Sequence, residues 1–125
     1  MFNRNQFAYD SKSGDLTMHI PSHMVSLEIN EEDFDNPGIQ HYASYLITNY
    51  PANKDRILRY IYNDLKEFYN YIPEAEFVQK VGNPTISILS DNDAEFVYLE
   101  SQLDEHLITL EVTGNYELSY VTCDG

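Results

Sequence analysis

Two periods of apolar residues divide the chain into three parts. Near the start, residues 16–20 alternate: Leu16, Met18 and Ile20 fall on one face, with Thr17 and His19 on the other. Pro21 interrupts, and alternation resumes with Val25, Leu27 and Ile29. A short apolar piece at 6–9 and the turn-forming stretch DSKSGD precede them. This is the period of half-buried strands, and three strands in a meander are the simple expectation. At Pro37-Gly38 the period changes towards 3.6. Residues 39–50 predict one helix, and Pro51 is expected to end it. Asn53 or Asp55 can then cap a second helix, in which Ile57, Leu58, Ile61, Leu65, Phe68 and Ile72 recur on one stripe. Pro73 fits the first turn of a third, short helix, which would bury Phe77, Val78 and Val81 before Gly82 stops it.

Alternation returns after Pro84. Residues 85–89, 94–99, 105–113 and 116–122 predict four more strands, with SDND and Gly114-Asn115 as turns. The order βββ-ααα-ββββ predicts a single α+β domain over residues 1–125. It has a mainly antiparallel sheet of about seven strands and two to three central helices on one face. If Gly114-Asn115 is a two-residue turn, Thr113 pairs with Tyr116, Glu111 with Leu118, Thr109 with Tyr120 and Leu107 with Thr122. Ile108, Leu110, Val112 and Val121 then form the buried face. Thr109, Glu111, Leu118 and Tyr120 lie on the open one. A register slip of one residue would exchange the faces.

Composition adds a core and a charge. The chain has 125 residues, of which 42% are apolar, with 11 Tyr and 6 Phe. That suffices for one core and excludes a disordered acidic tail. Seven Lys and Arg stand against 21 Asp and Glu, a formal net charge of −14. Direct contact with nucleic-acid phosphates or an anionic membrane surface is therefore disfavoured, because both need clustered cations. A basic protein or a cation is what such a field attracts. The opening residues carry no secretory signal, no apolar run is long enough to span a membrane, and the one cysteine, Cys123, allows no internal disulfide. A cytoplasmic location is the expectation.

The charge is unevenly placed. Residues 51–82 hold five basic and five acidic residues and are neutral. Residues 31–50 hold four acidic and no basic ones, and residues 83–125 hold nine and none. If the two acidic blocks converge in space they make one negative surface. Acidic excess serving only solubility is the plainer account, but solubility does not require the cations to be confined elsewhere.

No catalytic or cofactor constellation accompanies this charge. His19 and His23 are four apart but separated by Pro21, with no metalloprotease motif. With one Cys and scattered His41 and His106, a zinc site is not expected. An EF-hand loop begun at Asp91 would need Gly at its sixth and Glu at its twelfth position, where Phe96 and Gln102 stand. Cys123 has acidic company, which disfavours its thiolate. No phosphate loop or nucleophile elbow occurs. The reading is of a protein that is not an enzyme and has no cofactor.

The run HLITLEVTGNYELSYVTCDG, with His106, Ile108, Leu110, Val112 and Gly125, resembles the ending of small bacterial families of unknown function. The helix and the stretch TISILSDNDAEFVYLE before it, and the opening QFAYD, look similar too. Those families are grouped with immunity proteins of polymorphic and contact-dependent toxin systems. The resemblance implies a non-enzymatic inhibitor that binds and blocks a cognate toxin in the cytoplasm, with no catalytic residues to carry over. Physical reasoning adds how it would bind. Toxins acting on nucleic acids hold phosphates with basic clefts, and carboxylates can stand where phosphates would lie. Tyrosines supply the desolvated anchors. The expected interface is Asp91, Asp93, Glu95, Glu100, Asp104, Glu105, Glu111, Glu117, Tyr116 and Tyr120. The alternative is a phage-type nucleic-acid mimic that inhibits a DNA-binding defence enzyme.

Overall fold

The computed structural model describes residues 2–124. Seven strands form one sheet in chain order: β1 (Ala8–Asp10), β2 (Asp15–Ile20), β3 (Val25–Asn30), β4 (Thr85–Ile88), β5 (Asp93–Tyr98), β6 (Leu107–Thr113) and β7 (Glu117–Asp124). Each is antiparallel to the next, except β3 and β4, which are parallel. A parallel neighbour needs a crossover, and the helical middle of the chain supplies it. The expected α+β class, the mainly antiparallel seven-stranded sheet and the order of strands and helices along the chain are those observed.

The helical middle is two helices, α1 (Pro37–Leu65) and α2 (Glu74–Val81), rather than three. Asn36 caps α1, its Oδ1 accepting the backbone N–H of Gly38 and Ile39, and Pro37 fits the first turn. Gly38 fits closely there: a Cβ would lie 3.0 Å from that of Asp91, so a larger residue needs Asp91 to give way. Pro51 does not break the helix as expected. Its missing N–H leaves one backbone bond unmade, but buried Ile47 and Tyr50 on one side and Ile57 and Leu58 on the other hold both halves against the same core. Side chains also serve carbonyls around the proline. Asn49 Nδ2 donates to the Tyr45 carbonyl at 2.9 Å and Asn53 Nδ2 to that of Asn49 at 2.8 Å.

The second expected stripe overran. Regular helix stops at Leu65, and residues 66–72 form tight turns, in which Phe68 and Tyr69 both donate backbone N–H to the Leu65 carbonyl. The backbone rotates, so Tyr69 and Ile72 are buried while Phe68 is 55% exposed. Pro73 disfavours helical geometry at the residue before it, which helps end this segment. In α2, Phe77 and Val81 are buried and Gly82 ends the helix at φ +80°, as the sequence predicts, while Val78, expected with them, is only partly buried.

Alternation places the core between sheet and helices. One cross-strand row is Met18, Leu27, Ile86, Phe96, Leu110 and Val121; beside it run Leu16, Ile29, Ile88, Ala94, Val112 and Leu118. Most are fully buried against α1 and α2. Both helices lie between β3 and β4 in the chain and pack on this one side, so the other side of the sheet is left open.

The last hairpin departs from expectation. The turn has three residues, Gly114-Asn115-Tyr116, and Thr113 pairs with Glu117. A bulge at Ser119 then brings Glu111 opposite Tyr120 and Thr109 opposite Thr122. Turn and bulge compensate only from Tyr120 onwards, where the expected faces survive. Before the bulge they exchange, so that Leu118, expected on the open face, pairs with Val112 and packs on the core, and Glu117 takes the open side. Tyr116 adopts φ +53°, is 2% exposed and lies under the sheet. Its ring meets Phe96 edge-on at 5.9 Å and its hydroxyl donates to the Leu46 carbonyl. Arg56 Nη2 donates to the Tyr116 carbonyl at 2.6 Å, and the Tyr42 hydroxyl to that of Gly114 at 3.0 Å. These tethers to α1 hold a backbone conformation that costs a non-glycine residue about 1–2 kcal/mol.

Candidate functional site

The open face of the sheet carries the charge. Eight Asp and Glu lie on strands: Asp10, Asp15, Glu28, Asp93, Glu95, Glu111, Glu117 and Asp124. In β2, β3, β5 and β6 they alternate with buried residues. In β1 and β7 the pairing of Asp10 with Asp15, Glu117 with Thr113 and Asp124 with Leu107 sets the side, so all eight belong to the face turned from the helices. None of the seven Lys and Arg lies on a strand. One row crosses the whole sheet, with one residue from each strand: Ala8, Thr17, Glu28, Ser87, Glu95, Glu111 and Tyr120. Glu95 and Glu111 are direct neighbours in it, about 5 Å apart at the backbone. On one side runs a neutral row, Ser26, Thr85, Val97, Thr109 and Thr122, begun by His19. On the other, Asp93, Thr113 and Glu117 form a second acidic row, matched on the far strands by Asp10 and Asp15. Tyr120, 58% exposed, and Leu107 add apolar surface on the β6–β7 side.

The two acidic blocks do converge, at the end of the sheet where the crossover departs. The Glu31 backbone N–H donates to the Gly14 carbonyl at 2.8 Å, joining the β3–α1 loop to the β1–β2 turn. Gly114 N donates to the Asn92 carbonyl at 2.9 Å, joining the β6–β7 turn to the β4–β5 turn. Asp91 lies against Gly38 at the start of α1. Glu31, Glu32, Asp33 and Asp35 thus share an end with Asp91, Asp93 and Glu117. Arg4 offsets part of it, 3.6 Å from Asp35. The field reaches buried groups as well. Burial, with Asp93, Tyr45 and Glu117 nearby, pushes the Tyr42 hydroxyl up to about 12.

The structure brings together half of the residues expected from sequence. Glu95, Glu111 and Tyr120 share the central row, with Asp93 and Glu117 beside it. Asp91 joins them only at the loop end. Glu100 sits after β5 against Gly82, towards the opposite end of the sheet. Asp104 is engaged internally. Its Oδ1 accepts the Tyr69 hydroxyl at 3.0 Å and the His106 backbone N–H at 2.9 Å, and Oδ2 lies 2.8 Å from His106 Nδ1. Its partial burial acts to raise the carboxyl, but those hydrogen bonds from His106 and Tyr69 outweigh it and hold the group below its ordinary value. Glu105 is exposed in the same loop. Tyr116 is a core residue and is withdrawn from the interface. Gly125, which ends the resembling run, lies outside the described residues.

Sequence reasoning missed Glu28. Its alternation with Val25, Leu27 and Ile29 already put it on the polar face. Only the parallel pairing of β3 with β4 carries it to the charged half of the chain, where Ser87 Oγ donates to Glu28 Oε1 at 3.0 Å. Partial burial raises its carboxyl, and Asp15 and Asp10 add to that against the opposing Ser87 hydroxyl. The folded state therefore binds the proton more tightly than the unfolded chain does. The resulting stability is present at pH below the ordinary Glu value and is lost as pH rises through the raised folded value. The expected outcome is that Glu28→Gln is more stable than the parent at pH 7, with the gap shrinking on acidification to pH 4. Urea midpoints at the two pH values measure it, and a gap that widens on acidification contradicts the assignment.

Among the described residues no three or more His, Cys, Asp or Glu are arranged to hold a metal ion, and no helix is long and apolar enough to cross a membrane. Cys123 is half-buried and its thiol is pushed up, first by burial and then by Asp104 and Asp124. A broad, shallow, acidic face with few apolar anchors suits recognition of a protein surface better than enclosure of a small molecule. No protein-family model, curated protein or solved structure matches the chain.

Proposed function

We propose that the chain is a non-enzymatic binding protein whose open sheet face captures a basic protein, and that it acts as an immunity protein neutralising a cognate bacterial toxin. One observation carries the reading: all eight strand carboxylates lie on the uncovered face and all seven cations lie off the strands. Burial alone sends strand carboxylates to the open face, but it does not keep Lys and Arg off the strands. Like charges set directly opposite, as Glu95 and Glu111 are, destabilise a sheet. A partner of opposite charge turns that cost into attraction and speeds encounter. A toxin that handles nucleic acid presents such a surface, because it must hold phosphates.

The test is capture from native host lysate by the parent protein and by Glu95→Lys/Glu111→Lys, with Glu67→Lys/Glu74→Lys as a control pair outside the sheet. We expect one basic protein on the parent and the control, retained less as salt rises. Retention should fall by about a hundredfold on the double reversal, on the order of 3 kcal/mol. Equal capture by parent and double reversal rejects the sheet face. Capture of a DNA-binding enzyme would replace the toxin inhibitor with a nucleic-acid mimic.

A further inference from the structure

The sheet has two edges of very different kinds. β1 is three residues long, and the turn that follows it carries Lys12. β7 is eight residues long, with no Lys, Arg or Pro. Soluble proteins usually blunt such an edge with lysine, proline, a very short strand or a bulge. β7 has one of these devices, the bulge at Ser119, whose Oγ donates to the Glu111 carbonyl at 3.3 Å. Beyond the bulge, Tyr120–Asp124 pairs regularly with Leu107–Glu111. Those five residues offer their outer backbone groups as a regularly paired template.

The side chains indicate what fits there. On the open face the template shows Tyr120, Thr122 and Asp124, with Glu111 and Leu107 one strand further in. On the helix side Val121 and Cys123 are partly buried, leaving apolar surface beside the edge. An added strand would therefore set apolar residues beside Val121 and Cys123, and basic or hydroxyl residues beside Tyr120 and Asp124, with Glu111 one strand further in. A second copy of this chain is the wrong occupant. It would bring a formal charge of −14 against −14 and lay acidic face beside acidic face.

We infer that the edge of β7 over Tyr120–Asp124 accepts an extended, alternately basic and apolar segment of the partner protein as an eighth strand. This rests on the basic-partner reading above and adds how the partner is held. Main-chain hydrogen bonds supply the attachment, and the alternating side chains supply the choice. The open-face residues of the added strand then continue the row that ends at Tyr120.

The test uses two end-blocked octapeptides of equal charge, one alternating Lys and Val and the other alternating Lys and Pro. Proline removes every second backbone donor and fixes φ at about −65°, away from the extended geometry of a sheet strand. Binding is followed by NMR at low salt, together with amide hydrogen exchange. We expect the Lys-Val peptide to bind at least tenfold more tightly and to slow exchange of amides within residues 120–124. Equal affinities, protection elsewhere than β7, or no binding of either peptide would overturn the edge site. Equal affinities that both collapse in Glu95→Lys/Glu111→Lys would overturn it while leaving the acidic face intact. Concentration-dependent protection of β7 without peptide would make a second copy the occupant and overturn the basic segment.

Discussion

Phe96→Ala is expected to lose about 3–5 kcal/mol of folding stability. Phe96 stands at the centre of β5 and is wholly buried. It lies between Ile86 and Leu110 in its row, and under it are the rings of Tyr50 at 6.1 Å and Tyr116 at 5.9 Å. Removing it opens a cavity at the point where sheet, α1 and the β6–β7 turn meet. The wall cannot collapse cheaply, because Tyr116 is tied by its hydroxyl to Leu46 and by its carbonyl to Arg56. A domain of this size is typically stable by about 5–15 kcal/mol, so the variant would keep its fold only marginally. Thermal unfolding should show a midpoint lowered by roughly 10–20 °C. Tyr71→Ala, at a side chain 76% exposed, serves as the comparison and should change stability by no more than about 0.5 kcal/mol. A loss under about 1 kcal/mol at Phe96 would mean that the three elements do not share one core there.

Pro51→Ala is expected to have the opposite sign, a gain of about 2 kcal/mol. Proline inside a helix costs roughly 3 kcal/mol relative to alanine, through the lost N–H and the clash with the preceding turn. Its restriction of the unfolded chain returns up to about 1 kcal/mol. Pro51 is exposed, so alanine there empties no core space. The new N–H would meet the Ile47 carbonyl and complete the ladder of α1. Denaturant titration at fixed m-value measures the gain. A loss of stability instead would show that the backbone geometry Pro51 imposes on α1 is needed to seat the Leu46 carbonyl on the Tyr116 hydroxyl. The proline would then serve the placement of the β6–β7 turn.

Both variants turn on contacts that no linear pattern displays. Alternation identified every strand beyond the first short piece, because a half-buried strand must separate its two kinds of side chain with period two. The same rule fixed the open face of β6, where Thr109 and Glu111 lie as expected. Period 3.6 found the helical middle for the same reason. Punctuation was the weaker guide. Pro51 was expected to stop a helix, but local chemistry yields where buried residues on both sides gain more from continuing. Phe68 was expected on the buried stripe, but a tight turn after Leu65 rotates Tyr69 into that place. Tyr116 looked like an interface tyrosine next to a polar turn. One extra turn residue sends it into the core.

The sequence by itself determined the class, the order of elements along the chain, most of the apolar set that becomes the core and the strong bias of charge, since these follow from periodicity and composition. Tertiary structure alone decided where the charge is delivered. Pairing β3 with β4 in parallel, across a crossover of more than fifty residues, puts Glu28 beside Ser87 and aligns it with Glu95 and Glu111. It also brings the acidic loop at 31–35 to the same end as Asp91 and Asp93. Such pairings depend on which faces are left unburied once the helices have docked, and on the entropy of closing a long loop. Neither quantity is a property of any short stretch of chain. The acidic row is therefore built from residues that become neighbours only when the sheet closes over its core.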